Sequence, residues 1–139
     1  MNPSTVLARI ESLEDVYSAS QDRIAPEQVR RIEVDQARFD DKAYALSLPR
    51  PLIDHLGLRQ GGSKFVRTAT GSKRVPGFDP VRLTIGDRDC TIEVIERLED
   101  SQVVFGPIVL ALVDLVVDPV GQRLIGNPAH GGRWMIEMY

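Results

Sequence analysis

Polar and apolar residues alternate in several short stretches of the chain, and a period of two is typical of half-buried β-strands. The clearest example is residues 81–95, where two alternating arms flank a Gly-Asp turn and predict a hairpin. Residues 29–38 alternate in the same way, with Ile32 and Val34 on one face, and lead directly into Asp40. The pattern therefore predicts an all-β protein with Asp40 in a turn at the end of a strand.

Proline and glycine divide the rest of the chain into further short elements. A short helix is predicted near 51–56, because proline lies at its start and Gly57 follows its end. Residues 64–75 form a predicted hairpin around Thr70-Gly71-Ser72, where glycine can adopt the positive φ of a tight turn. The other predicted elements are a return strand at 45–49, a strand at 103–106, a helix near 107–113 and a strand at 115–117.

The length and composition favour one globular domain. A chain of 139 residues can enclose a single hydrophobic core. Its hydrophobic content of 42% and charged content of 27% are typical of a soluble protein. We expect this domain to cover residues 1–128, with residues 1–12 either outside the core or supplying a first strand. Residues 129–139 form a C-terminal tail with no clear period, which could pack on its own domain, pair with another chain or occupy a groove.

The charge and the scarce metal-binding residues exclude several functions. A net charge of −3 argues against nucleic-acid binding and against an anionic membrane surface. The one cysteine, Cys90, fits a reducing cytoplasm and reads as a buried thiol. His55 and His130 are far apart in the sequence and lack the spacing of a zinc site. The sequence therefore predicts no metal and no cofactor.

The run Phe39-Asp40-Asp41-Lys42-Ala43-Tyr44 carries the most specific signal. Together with VFG (104–106) and LVVDPVGQRLIGNP (115–128), and with the order of predicted elements, it resembles the retropepsin-like aspartic peptidases, in particular small bacterial members. In that family the turn reads Asp-Ser/Thr-Gly-Ala. Here Asp41 replaces the hydroxyl residue and Lys42 replaces the glycine.

The resemblance implies a closed β-barrel or sandwich that works as a homodimer. Each subunit would contribute Asp40 as the catalytic carboxylate, and the 64–75 hairpin, with Thr70, Gly71 and Ser72 at its tip, would be the flap over a peptide or protein ligand. Gly106 would be a structural glycine. Two copies of the same surface would meet on a two-fold axis, which is the commonest symmetry of oligomers.

The altered turn predicts impaired catalysis. Two aspartates that hydrolyse peptides share one proton, so that one acts as base and the other as acid. An ionised Asp41 accepts hydrogen bonds but cannot donate them, unlike the hydroxyl it replaces. Lys42 introduces a Cβ and an ammonium group beside Asp40. The first hypothesis is therefore a peptide-binding or structural module with a peptidase fold.

Two alternatives remain open at this stage. The chain could be an active aspartic endopeptidase that uses Asp40 from each subunit, or an unrelated β-rich domain that binds a partner through a sheet edge. The basic residues Arg67, Lys73 and Arg74 around the hairpin tip could solvate a turn or favour acidic peptide segments. The sequence identifies neither a ligand sequence nor a pathway.

Overall fold

A computed structural model describes residues 5–138 of the chain, so the first four residues of the predicted domain and Tyr139 lie outside the described part. Nine strands are present there: β1 (Thr5–Ser12), β2 (Arg31–Phe39), β3 (Leu46–Leu48), β4 (Gln60–Thr68), β5 (Gly71–Ile85), β6 (Arg88–Glu96), β7 (Val104–Phe105), β8 (Leu115–Val117) and β9 (Leu124–Gly126). The α-helices are α1 (Leu13–Ser20), α2 (Arg50–His55) and α3 (Pro107–Val113), and Pro26–Gln28 and Pro128–His130 form short 3₁₀ helices.

The main sheet has seven strands in the order β1-β2-β7-β3-β6-β5-β4, and β8 pairs with β9 in a separate small sheet. β1 also pairs with the second half of β5, so six strands are linked in a ring of pairings with β4 outside it. The predicted β-rich fold with short helices near 51–56 and 107–113 is therefore confirmed. The ring of pairings is compatible with the predicted closed barrel.

The hydrophobic core lies where β3, β6, β7 and helices α2 and α3 meet. Leu46, Leu48 and Phe105 are each fully buried there, together with Ile53 and Val109 of the two helices. These side chains supply most of the packing around β3 and β7. Truncating one such leucine to alanine typically costs about 2–5 kcal/mol, because the transfer energy is lost and a cavity remains.

Helix α1 is the main element that the hydrophobic pattern did not indicate. Ser12 caps it, because the Ser12 hydroxyl accepts a hydrogen bond from the Asp15 N–H at 3.3 Å. The Asp15 carboxylate also accepts two guanidinium hydrogen bonds from Arg30, at 2.7 and 3.0 Å. These bonds hold the pKa of Asp15 below its usual range. The helix is thus stabilised by its cap and by an ion pair rather than by a broad apolar face.

The connection between β2 and β3 positions the candidate site. The two strands are joined by the turn of residues 40–44, yet they are not neighbours in the sheet, because β7 lies between them. β7 is parallel to β2, with Phe39 opposite Phe105, and antiparallel to β3, with Leu46 opposite the same Phe105. The turn must therefore cross the end of β7, directly beside Gly106.

Candidate functional site

The turn of residues 40–44, named here the Asp40 turn, is held by three backbone donors. The Asp40 N–H donates to the Phe105 carbonyl at 3.0 Å, and the Ala43 N–H donates to the Asp40 carbonyl at 3.1 Å. The Lys42 N–H donates to Asp40 Oδ1 at 2.9 Å. The Asp40 side chain is 35% exposed. The carboxylate is therefore oriented by the turn while part of it remains open to a ligand.

Gly106 permits the close contact between the Asp40 turn and the end of β7. A Cβ atom at this position would lie 2.0 Å from the Ala43 carbonyl oxygen, which is far inside van der Waals contact. The Gly106 N–H donates to the Ala45 carbonyl at 2.9 Å. Its φ of −109° is accessible to any residue, so the requirement for glycine here is one of space.

Arginine side chains surround the Asp40 carboxylate. Arg38 NH1 lies 3.9 Å from Asp40 Oδ2. Arg97 lies in the same region and forms a two-pronged ion pair with Asp100, at 2.6 and 3.1 Å. The hydrogen bond that Arg97 donates to Asp100 is the main reason that the pKa of Arg97 is raised, and the charges of Asp100, Glu99 and Asp40 act in the same direction. The sequence analysis did not include Arg38 among the site residues. The signal was present, because Arg38 lies two positions before Asp40 and side chains two apart on a strand share a face.

Asp41 and Lys42, the two positions at which the sequence was expected to depart from the family motif, are both exposed in the turn. The Lys42 backbone does not adopt a positive φ, and its N–H makes the hydrogen bond to Asp40 described above. The Lys42 Cβ is therefore accommodated in the single chain without a left-handed backbone conformation. Within residues 5–138, Lys42 Nζ forms no ion pair with a carboxylate, so the cation beside Asp40 is Arg38.

A cleft of about 840 Å³ opens between the Asp40 turn and the β4–β5 hairpin. Residues opposite each other in an antiparallel pair share a face, and Lys64 is paired with Val75 and Val66 with Lys73. All four side chains line the cleft across from Asp40. The hairpin thus forms one side of the cleft.

The hairpin turns where the sequence predicted. Gly71 begins the return strand β5 with a φ of +118°, which strongly favours glycine, and the next residue, Ser72, lies opposite Arg67. Ala69, beside Thr70, lines the cleft. The Arg74 guanidinium lies 4.7 Å from the centroid of the Phe65 ring, and Phe65 also lines the cleft.

Tyr44, Glu93 and Lys64 connect the hairpin to the Asp40 turn and to β6. Lys64 Nζ lies 3.4 Å from Glu93 Oε1 and 5.7 Å from the centroid of the Tyr44 ring. A hydrogen bond to Glu93 raises the pKa of Tyr44, and the negative charge of Glu93 acts in the same direction. Lys64 is therefore already engaged by the protein, although it also lines the cleft.

The C-terminal tail packs on its own domain through a polar cluster, named here the Asp114 cluster (Asp114, Asn127, His130 and Met135). His130 Nδ1 lies 2.6 Å from Asp114 Oδ2, the Asn127 side-chain amide donates to Asp114 Oδ1 at 3.0 Å, and the Met135 N–H donates to Asp114 Oδ2 at 3.1 Å. The hydrogen bond from His130 lowers the pKa of Asp114 to about 2 and raises that of His130. Sequence reasoning treated His130 as part of a loose tail and so missed this cluster.

Further contacts extend the attachment of the tail. The Arg88 guanidinium donates to the carbonyls of Val113, Asp114 and Gly132, and the Trp134 indole N–H donates to the Leu112 carbonyl at 3.2 Å. Beyond this point Ile136 and Met138 are exposed, by 69% and 90% respectively. Of the three arrangements considered for the tail, packing on its own domain is therefore observed.

The remaining candidate residues carry no site. Cys90 is buried, and burial raises the pKa of its thiol to about 11, which leaves it unreactive at neutral pH. His55 lies exposed on α2. In the described part of the chain, no group of histidine, cysteine or acidic residues has the arrangement of a metal site. Among residues 5–138 there is also no helix with the length and apolar character needed to cross a bilayer.

Comparisons with known proteins give little further guidance. No protein-family model matches the chain, and no curated protein matches it. Among solved structures, the chain is similar to the solution structure of the simian foamy virus (mac) protease, with a TM-score of 0.42 and 17% identity over 56% of this chain and 80% of that one. At this level of similarity no activity is transferred.

Proposed function

We propose that two copies of this chain form a homodimer with a retropepsin-like fold, which binds peptide segments between the Asp40 turn and the β4–β5 hairpin and hydrolyses them poorly if at all. The cleft of about 840 Å³ between these two elements is the observation that carries the proposal. Its volume lies in the range of about 300–1,000 Å³ that is typical of ligand sites. Asp40 lies on one side of the cleft and the predicted flap on the other.

The impairment follows from what surrounds Asp40. Hydrolysis by paired aspartates requires a water held between two carboxylates that share one proton. The residue after Asp40 is Asp41, which has no hydroxyl group to brace a second copy and cannot donate a hydrogen bond when ionised. A dimer would also bring two copies of Arg38, Asp41 and Lys42 to the centre of the site. The arrangement favours binding over proton transfer.

The dimer is supported by apolar surface that a single copy leaves exposed. Ile108 and Leu112 on α3 are 41% and 42% exposed, and Trp134, whose indole contacts the Leu112 carbonyl, is 40% exposed. α3 begins directly after Gly106, which contacts the Asp40 turn. A second copy that covers α3 would therefore lie close to the turn.

Sedimentation at micromolar concentration and a peptide-library assay test this function together. We expect a dimer that retains peptides from the library, measured by mass spectrometry of the bound fraction, and that leaves a denatured protein substrate uncleaved from pH 3 to pH 8. The Asp40→Asn variant should show the same lack of cleavage. A persistent monomer, or a dimer that retains no peptide, would contradict the proposal.

An active aspartic endopeptidase is the second candidate, favoured by the retained Asp40, which lines the cleft and accepts the Lys42 N–H. It requires cleavage with an acidic optimum, inhibition by a statine-type transition-state mimic, and loss of cleavage in Asp40→Asn. An unrelated interaction domain is the third candidate, favoured by the position of β4 at the outer end of the strand order. A stable monomer that binds its partner along β4 would identify it.

A further inference from the structure

The cleft is lined by both acidic and basic side chains, and every acidic side chain of the lining lies near an arginine. Each carboxylate in its lining faces an arginine: Asp40 faces Arg38 at 3.9 Å, Glu96 faces Arg50 at 3.4 Å and Glu99 faces Arg97 at 3.8 Å. Arg50 and Arg97 are also shared with Asp54 and Asp100, which lie outside the lining. The lining itself holds five basic residues against these three carboxylates: Lys42, Lys64, Arg67, Lys73 and Arg97.

Two of the five basic residues of the lining, Lys64 and Arg97, pair with Glu93 and Asp100, and the other three differ from them. Lys42, Arg67 and Lys73 line the cleft, and among residues 5–138 none of the three forms an ion pair with a carboxylate within 4.0 Å. Lys42 lies on the Asp40 turn, while Arg67 and Lys73 lie on the hairpin, so the uncompensated charge comes from both sides of the cleft. This concentration of positive charge occurs in a chain whose net charge is −3.

Apolar side chains lie between these charges. Val66 and Val75 of the hairpin line the cleft together with Ile95 of β6 and Leu98, and Val75 and Ile95 are buried. A ligand that is complementary to this surface must combine negative charge with apolar groups. An extended peptide does so when acidic and apolar side chains occur close together, since successive residues of a strand point to opposite sides.

We infer that the ligand of this cleft is an extended peptide segment rich in acidic and apolar residues, and that Lys73, Arg67 and Lys42 select it by charge. This inference rests on the proposed peptide-binding function and specifies its ligand class. Because the positive charges lie on opposite sides of the cleft, the protein can contact two separate acidic side chains of the peptide. The preference therefore concerns the spacing of the acidic residues as well as their charge.

The test compares three fluorescent ten-residue peptides that share one apolar framework and carry Glu, Gln or Lys at the same four positions. We expect the Glu peptide to bind about tenfold more tightly than the Gln peptide at low salt, since a few partly exposed ion pairs account for such a difference. The Lys peptide should bind most weakly. The preference should diminish in 0.5 M salt, because exposed charges are screened over about 4–5 Å there.

The Lys73→Glu variant tests whether one particular basic residue of the cleft contributes to the preference. It should reduce the Glu-peptide affinity about fivefold and strengthen binding of the Lys peptide. Arg23→Glu is the matched control, because Arg23 is exposed, lies outside the cleft lining and changes the net charge by the same amount. The Arg23→Glu variant should leave all three affinities unchanged, and circular dichroism should show that both variants are folded.

The outcomes separate the ligand class from the proposed function. Equal binding of the three peptides by a folded dimer would overturn the charge preference and leave peptide binding intact. Binding of none of the three, by a dimer that also retains nothing from the peptide library, would overturn both. Tighter binding of a ten-nucleotide single strand than of the Glu peptide would show that the positive charge serves nucleic acid instead.

Discussion

Two aspartates at the ends of secondary-structure elements differ in how many hydrogen bonds the protein donates to their carboxylates. Asp114 follows α3, its side chain is 10% exposed, and it accepts hydrogen bonds from Asn127 and Met135 while contacting His130. Asp40 follows β2, its side chain is 35% exposed, and the hydrogen bond that orients it comes from the Lys42 backbone. A carboxylate whose acceptor positions are filled serves the structure, whereas a partly filled one that faces a cleft can serve a ligand.

The largest expected effect concerns the support behind the Asp40 turn. Gly106→Ala would place a methyl group against the Ala43 carbonyl, where the gap is 2.0 Å. We expect a loss of about 3 kcal/mol in the free energy of unfolding, because the turn and β7 must move apart. Urea denaturation measures this loss. Gly61→Ala is the control, since a Cβ there meets no atom within 4 Å, and an equal loss in both variants would contradict the argument.

The next largest effect concerns the Asp114 cluster and its dependence on pH. The pKa of Asp114 is lowered to about 2 from an ordinary 3.8, so its stabilisation is present above pH 3.8 and is lost as the pH falls toward 2. The pKa of His130 is raised above 6.5, so its contribution is complete below pH 6.5 and is lost as the pH rises through the raised value. Thermal stability should therefore be greatest between about pH 4 and 6.5.

Thermal unfolding of His130→Gln, Asp114→Asn and the double variant across pH 3–9 tests the cluster. At pH 6 we expect each single variant to lower the midpoint by roughly 5 °C. The double variant should lower it by much less than the sum, because the two residues contact each other. Additive losses would show that the cluster does not act as a unit. The same conclusion would follow if the His130→Gln variant lost thermal stability above pH 6.5 in the same way as the unmodified protein.

The smallest expected effect on stability comes from Asp40 itself. Asp40→Asn keeps an oxygen that can accept the Lys42 N–H, and the side chain is partly exposed, so the free energy of unfolding should change by less than about 1 kcal/mol. Urea denaturation and peptide binding measured on the same preparation check this expectation. A loss as large as that of Gly106→Ala would make Asp40 a structural residue like Asp114.

The predictions from sequence succeeded where the signal is local. The alternation of Val81, Leu83 and Ile85 identified a buried strand, and glycine at position 71 identified a hairpin turn, because both depend on residues close together in the chain. The same local reasoning did not indicate α1, whose Ser12 cap and Asp15–Arg30 ion pair join residues up to 15 apart. Contacts of that kind leave no periodic trace in the sequence.

The same distinction between local and long-range contacts applies to the candidate site. Local patterns in the sequence predicted most of the strands along the chain and the position of Asp40 at the end of β2, but not the order of the strands within the sheet. Only the tertiary structure decided that Arg38, rather than Lys42, is the cation beside Asp40, and that His130 attaches the tail to Asp114. The physical reason is that the spacing of apolar residues and the positions of proline and glycine indicate which face a residue occupies and where an element ends. Ion pairs and close contacts depend instead on which strands become neighbours.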